Sequence, residues 1–257
     1  MGNVVEKLLF QPPEPSYHPD PSIIWLNTRR GQRIAAFFID RKAQLTLLFS
    51  HGNAEDLGMI LYQFQDLLPQ LKCNIFAYDY TGYGYSSGEP SEDDIYSDIE
   101  ASYQYLRGDM GIPWHQIVLF GRSLGTAAST HLASLSPVRG IILQCPMLSV
   151  YRIALNSRFT LPGDSLANID RVGCIDAPIL IIHGTRDEIV PFWHGVEMHK
   201  NCINAVDPYW VEGGEHNNLE TIDNMEFVKR ISSFLQDLEA SLIEESAIVI
   251  DPINVPQ

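Results

Sequence analysis

Short apolar runs at residues 45–50, 74–78, 117–120, 141–145 and 179–182 alternate with stretches of helical periodicity along most of the chain. The runs are nearly continuous in apolar residues, so each strand must be buried on both faces. Strands of that kind, each followed by a helix, form a parallel sheet covered on both sides. The expected fold class is therefore α/β, with a mostly parallel central sheet and helices on both faces. Two earlier runs, at residues 23–27 and 33–39, fit antiparallel additions at one edge. Ser91, followed by Glu92, Asp93 and Asp94, marks a helix start: its hydroxyl can cap an open amide, and acids suit the positive helix end.

The 257 residues suffice for one such domain. We divide them into an N-terminal segment at 1–17, a domain at 18–240 and a C-terminal tail at 241–257 that contains Pro252 and Pro256. The net charge of −15 argues against nucleic acid as a partner, because phosphate binding needs clustered Lys and Arg. It also opposes attraction to an anionic membrane, except through a local segment. No apolar run reaches the roughly 20 residues of a membrane span, and no basic flank precedes an apolar run at the N-terminus. Cys73, Cys145, Cys174 and Cys202 are scattered, with no disulfide framework. An intracellular, cytoplasmic setting is expected.

The chemistry concentrates at Gly121-Arg122-Ser123-Leu124-Gly125, between an apolar strand and a small-residue helix. A turn this sharp needs Gly121 and Gly125 on either side, and it projects the Ser123 hydroxyl from its tip. A serine at its free pKa is a poor nucleophile and needs a base oriented by an acid. Asp187 follows the strand at 179–182, and His216 follows a strand, Gly213 and Gly214. Ser123, Asp187 and His216 thus all fall just beyond strand ends, where open α/β sheets place ligands. Asp187 could instead cap the next helix, and Glu188 is a substitute acid. His194 and His199 read as solvated or packing histidines, and His51 and His183 as structural ones. The oxyanion donors should be the backbone amides of Leu124 and of Asn53, in the loop after residue 50. Gly82-Tyr83-Gly84-Tyr85-Ser86-Ser87-Gly88 imitates a dinucleotide fingerprint, but its spacing is wrong and Pro90 delays the helix. Neither histidines nor cysteines show metal-ligand spacing, so no metal and no cofactor are expected.

With these residues in view, the chain resembles the alpha/beta hydrolases, and among them the alpha/beta hydrolase domain-containing protein 17 group. The likeness runs from about residue 8 to about residue 235. It rests on Phe10-Gln11-Pro12-Pro13-Glu14-Pro15-Ser16-Tyr17, on Ser50-His51-Gly52-Asn53-Ala54-Glu55-Asp56 and on Tyr78-Asp79-Tyr80-Thr81-Gly82-Tyr83-Gly84. The stretches at 121–125, 183–190 and 214–217 match as well. The resemblance implies the α/β-hydrolase fold and removal of S-palmitoyl groups from membrane-associated proteins at their cytosolic face. Members of the group carry an acylated N-terminal cysteine cluster; here the first cysteine is Cys73, and Gly2 is the candidate for lipidation, although Glu6 stands where that motif wants Ser or Thr. Leu8, Leu9 and Phe10 offer a shallow membrane contact or packing under the first strand. A minimal cap is expected at about 147–176, leaving the site open to an acyl chain still attached to a protein. The same opening would admit a peptide, a small ester or a lipid, and a hydrolase-shaped scaffold without turnover is the non-enzyme reading. Acyl length, protein targets and oligomeric state are left open by the residues.

Overall fold

The computed structural model describes residues 9–250 except 68–69, 156 and 160–161. Eight strands form one sheet: β1 (Ile24–Asn27), β2 (Arg33–Ile39), β3 (Thr46–Ser50), β4 (Asn74–Tyr78), β5 (Ile117–Arg122), β6 (Gly140–Gln144), β7 (Ile179–Gly184) and β8 (Tyr209–Val211). Their order is β1-β2-β4-β3-β5-β6-β7-β8. β1 and β2 pair antiparallel at one edge, and every pairing from β4 to β8 is parallel. This is the α/β-hydrolase fold.

All residues of β3 to β7 are buried, which is why their sequences show no polar alternation. Successive side chains go to opposite faces. Leu48, Leu119, Ile141 and Ile181 join one core, with helices α2 (Glu92–Gly108) and α3 (Gly125–Leu135). Leu47, Phe49, Val118, Phe120 and Ile182 join the other, with α1 (Leu57–Leu67) and the long C-terminal α8 (Asn224–Ile250). Ser91 caps α2 as expected, accepting a hydrogen bond from the Asp94 amide. Between β6 and β7 the described residues form the short helices α4 (Val150–Ala154) and α5 (Ile169–Val172). The remaining helices are α6 (Trp193–Asn201) and α7 (Leu219–Ile222). No helix among the described residues is long and apolar enough to cross a membrane.

Both expected chain ends need correction. The tail assigned to 241–257 is helical as far as residue 250, because α8 continues and buries Leu242 in the second core. Arg139 ties that turn down by donating to the Leu238 carbonyl and the Ser241 hydroxyl. The segment assigned to 1–17 docks on the domain from residue 9 onward. Phe10 is buried in the first core, Ser16 hydrogen-bonds Asp56, and the Tyr17 hydroxyl donates to Asp79 at 2.6 Å. The apolar side chain of Phe10 thus serves packing, not a membrane. Gly2 and Leu8 lie outside the described residues.

Candidate active site

Along the sheet, β4 and β5 lie on opposite sides of β3, so the chain reverses its direction of travel between β3 and β5. Loops leaving the carboxyl ends of neighbouring strands diverge at such a point and open a crevice. Ser123 follows β5, and Asn53 follows β3.

Ser123 holds a left-handed φ of +49°. Space rather than dihedral freedom demands the two flanking glycines. A Cβ on Gly121 would lie 2.4 Å from the Gly125 carbonyl oxygen, and one on Gly125 would lie 2.0 Å from that of Ser50. The Ser123 amide donates to the Gln144 carbonyl at 2.9 Å, and α3 begins two residues later. Its N-terminus brings partial positive charge to the place where an oxyanion would form.

The acid and histidine loops are stitched together before either side chain is considered. Thr185 and Arg186 donate their amides to the Val211 and Gly214 carbonyls, at 3.0 and 2.8 Å. That brings His216 Nδ1 to 2.7 Å from Asp187 Oδ2, and His216 Nε2 to 2.9 Å from Ser123 Oγ. The three residues singled out in the sequence therefore form one continuous chain of hydrogen bonds. Burial alone would raise the Asp187 carboxyl. Hydrogen bonds from His183 and His216, the His216 charge and the Val190 amide outweigh it and hold the carboxyl well below the usual range. An ionised Asp187 accepts the Nδ1 proton of His216 and leaves Nε2 free to accept from the serine.

Gly52, at the start of the loop after β3, sits against the β5 turn, where its Cβ would lie 3.9 Å from the Arg122 carbonyl oxygen. The Asn53 side chain is tied to its neighbours: Oδ1 accepts from the Tyr83 hydroxyl at 2.7 Å and the Gln11 amide at 3.0 Å, and Nδ2 donates to the Leu9 carbonyl at 2.7 Å. Among the described residues no group accepts from the Asn53 or Leu124 amide.

Several participants carry no sequence signature. His183, read as structural, lies 3.3 Å from Asp187 Oδ2 and also donates to the Val190 carbonyl at 2.8 Å, so it steadies the acid. The false dinucleotide loop turns through Gly82, Gly84 and Gly88, all with left-handed φ, and supplies the Tyr83 that pins Asn53. Cys145, with φ +47°, lies with Asp187 and His216 in a group whose donor atoms are within 4.8 Å of one another. That set suits a metal poorly. Both His216 nitrogens already face protein partners, and burial together with the Asp187 charge pushes the thiol far from ionisation. Beside the site, Phe49, Phe120, Phe227, Tyr62, Arg122 and Asn217 help to line a cavity of about 310 Å³.

Comparison with known proteins settles the family. The alpha/beta hydrolase fold model matches residues 46–166. Alpha/beta hydrolase domain-containing protein aho-3 of Caenorhabditis elegans is 38% identical over 273 residues, covering 96% of this chain and 81% of that protein. Alpha/beta hydrolase domain-containing protein 17B of Homo sapiens is 37% identical, covering 91% of each. The chain belongs to the alpha/beta hydrolase domain-containing protein 17 group. Among solved structures, this hydrolase is similar to the esterase Pf2001 of Pyrococcus furiosus, with TM-score 0.73, 17% identity and coverage of 88% of this chain and 96% of that one. The esterase RhEst1 of Rhodococcus sp. ECU1013 gives TM-score 0.65 and 18% identity, over 84% and 99%. At such identities the likeness is one of fold.

Proposed function

We propose that this hydrolase cleaves acyl thioesters, foremost S-palmitoyl groups on membrane-associated proteins, by way of an acyl-enzyme on Ser123. The observation that carries the reading is the unbroken chain from Ser123 Oγ through His216 to Asp187, at 2.9 and 2.7 Å. His216 Nε2 takes the serine proton as Oγ attacks the carbonyl, and Asp187 stabilises the imidazolium. The Leu124 and Asn53 amides receive the oxyanion; one such donor lowers the barrier by about 3 kcal/mol. The thiol leaves, taking its proton from His216; water, deprotonated by the same histidine, then attacks the acyl carbon, and Ser123 Oγ departs with that proton as the acid is released. A thiol of ordinary pKa about 8.5 leaves with far less help than an amine, which favours thioesters over amides. The shortness of the helices described between β6 and β7 supports a substrate still attached to a protein. Oxygen esters are the second reading, because an acyl-enzyme on Ser123 forms equally from a carbonyl whose leaving group is an alcohol. In this proposal the hydrolase works at the cytosolic face of membranes, with Gly2 as the lipid attachment point.

The test is labelling by a fluorophosphonate, followed by a substrate panel. Labelling should occur in the native chain and vanish in Ser123→Ala and His216→Ala; a labelled Ser123→Ala would sink the nucleophile. S-acyl peptides should turn over faster than matched oxygen esters and far faster than amides. Faster amide turnover would make the chain a peptidase.

A further inference from the structure

Arg122 has no part in the proton relay, yet its side chain touches both loops that frame it. Alternation along β5 sends Phe120 and Arg122 to the face covered by α1 and α8, where both line the cavity beside the site. There one guanidinium nitrogen of Arg122 donates to Glu55 Oε1, and the other donates to Asn217 Oδ1 at 3.2 Å. The second Glu55 oxygen accepts the Gly52 amide at 2.6 Å. Gly52 immediately precedes Asn53, and Asn217 immediately follows His216. The Arg122 and Glu55 side chains are only 9% and 12% exposed, so their attraction is little weakened by water.

We propose that Arg122 is a positioning residue that spans the site from beneath. Through Glu55 and the Gly52 amide it sets the oxyanion loop; through Asn217 it sets the histidine loop; and the backbone that carries it leads directly into Ser123. The inference rests on the serine hydrolase reading above. The chemistry of the residue fits the task. A guanidinium is planar and presents fixed, divergent N–H groups, so holding Glu55 also aims it at Asn217. A lysine is a single point charge on a flexible stem and cannot hold two partners at fixed separation. Catalysis is sensitive to such spacing, because a misplacement of about 1 Å can lower the rate by about 10²-fold. A bridge between two loops also makes a signature that a merely stabilising ion pair does not: removing Arg122 should be equivalent to removing both of its partners.

The experiment measures the rate of Ser123 labelling by a fluorophosphonate, kcat and KM on one ester substrate, and Tm, for Arg122→Lys, Arg122→Met, Glu55→Gln, Asn217→Ala and their combinations. Rates are normalised to the folded fraction. Arg122→Lys should keep Tm close to native while kcat falls by about 10- to 100-fold and KM moves little, the pattern of a lost transition-state contact. Arg122→Met should lose as much as the double variant Glu55→Gln with Asn217→Ala. Adding Glu55→Gln to Arg122→Met should lose nothing further, because the coupling is already gone. Native-like labelling and kcat in Arg122→Lys and Arg122→Met, or losses that merely follow the folded fraction, would overturn the positioning role. An unlabelled native chain would overturn the serine hydrolase reading and this inference with it, so the two failures are distinguishable.

Discussion

Ser123 is held in a conformation that a residue with a β-carbon adopts only under constraint, with φ +49°. That arrangement persists because its surroundings leave no alternative: the Ser123 amide is fixed by Gln144, and Gly121 and Gly125 pack where no side chain fits. Gly125→Ala should accordingly be far worse than an ordinary glycine replacement. Its Cβ would fall 2.0 Å from a backbone oxygen of Ser50, an atom that cannot swing aside. We expect a stability loss of about 3 kcal/mol or more and no residual labelling of the folded protein, measured by urea unfolding and fluorophosphonate reaction. Asp187 is the opposite kind of residue, one whose charge matters more than its volume. Asp187→Asn should leave the fold intact and lower kcat by about 10⁴-fold, since the amide presents the wrong partner to His216 Nδ1. Single-turnover acylation, with circular dichroism as the control, separates this outcome from unfolding.

At the scale of elements, α6 and the cap meet at His194. Its ring is buried in the first turn of α6, and its Nδ1 accepts the Leu148 amide at 3.1 Å. That contact requires a neutral ring. Burial lowers the His194 pKa to about 4, with the neighbouring His183 and Arg152 adding to the effect and Asp187 opposing it. The unfolded chain, with a histidine pKa of about 6.5, therefore binds more protons than the folded one between those values. Stability from this group is complete above about pH 6.5 and declines as pH falls toward 4, by about 2 kcal/mol at pH 5. Asp98 works in the other direction: burial raises it to about 7 against hydrogen bonds from Thr81, so its contribution declines as pH rises through that value. The histidine is isolated by comparing the native chain with His194→Gln, which keeps an acceptor for Leu148. Urea unfolding at pH 7 and pH 5 should show the smaller acid-induced loss in the variant. The loops explain what the sequence could and could not convey. Apolar runs bound for a buried parallel sheet announce themselves, and so does a serine between strand and helix. Tyr83 holding Asn53, or His183 steadying Asp187, depends on contacts between distant segments that no local spacing records.

For the whole molecule, the same limit applies at the chain ends. Pro252 and Pro256 mark the last stretch as a tail, although Leu242 completes a core laid down by strands far away in sequence. Ending the chain at Ala240 should therefore lower unfolding free energy by about 2 kcal/mol, the contribution of one buried leucine, with a further loss from the Ser241 partner of Arg139. Urea denaturation of the two lengths is the check. The sheet order carries a consequence of another kind. Ser123, the proposed nucleophile, follows a central strand, while His216, its proposed base, follows β8, three residues long, at the far edge and paired on one side only. An edge so short is the part of a sheet that opens first on warming. Catalytic death should then run ahead of melting: hydrolysis should be lost several degrees below the loss of helix signal, return on cooling, and coincide with early amide exchange at Tyr209, Trp210 and Val211. The chemistry of the molecule is only as heat-resistant as its shortest strand.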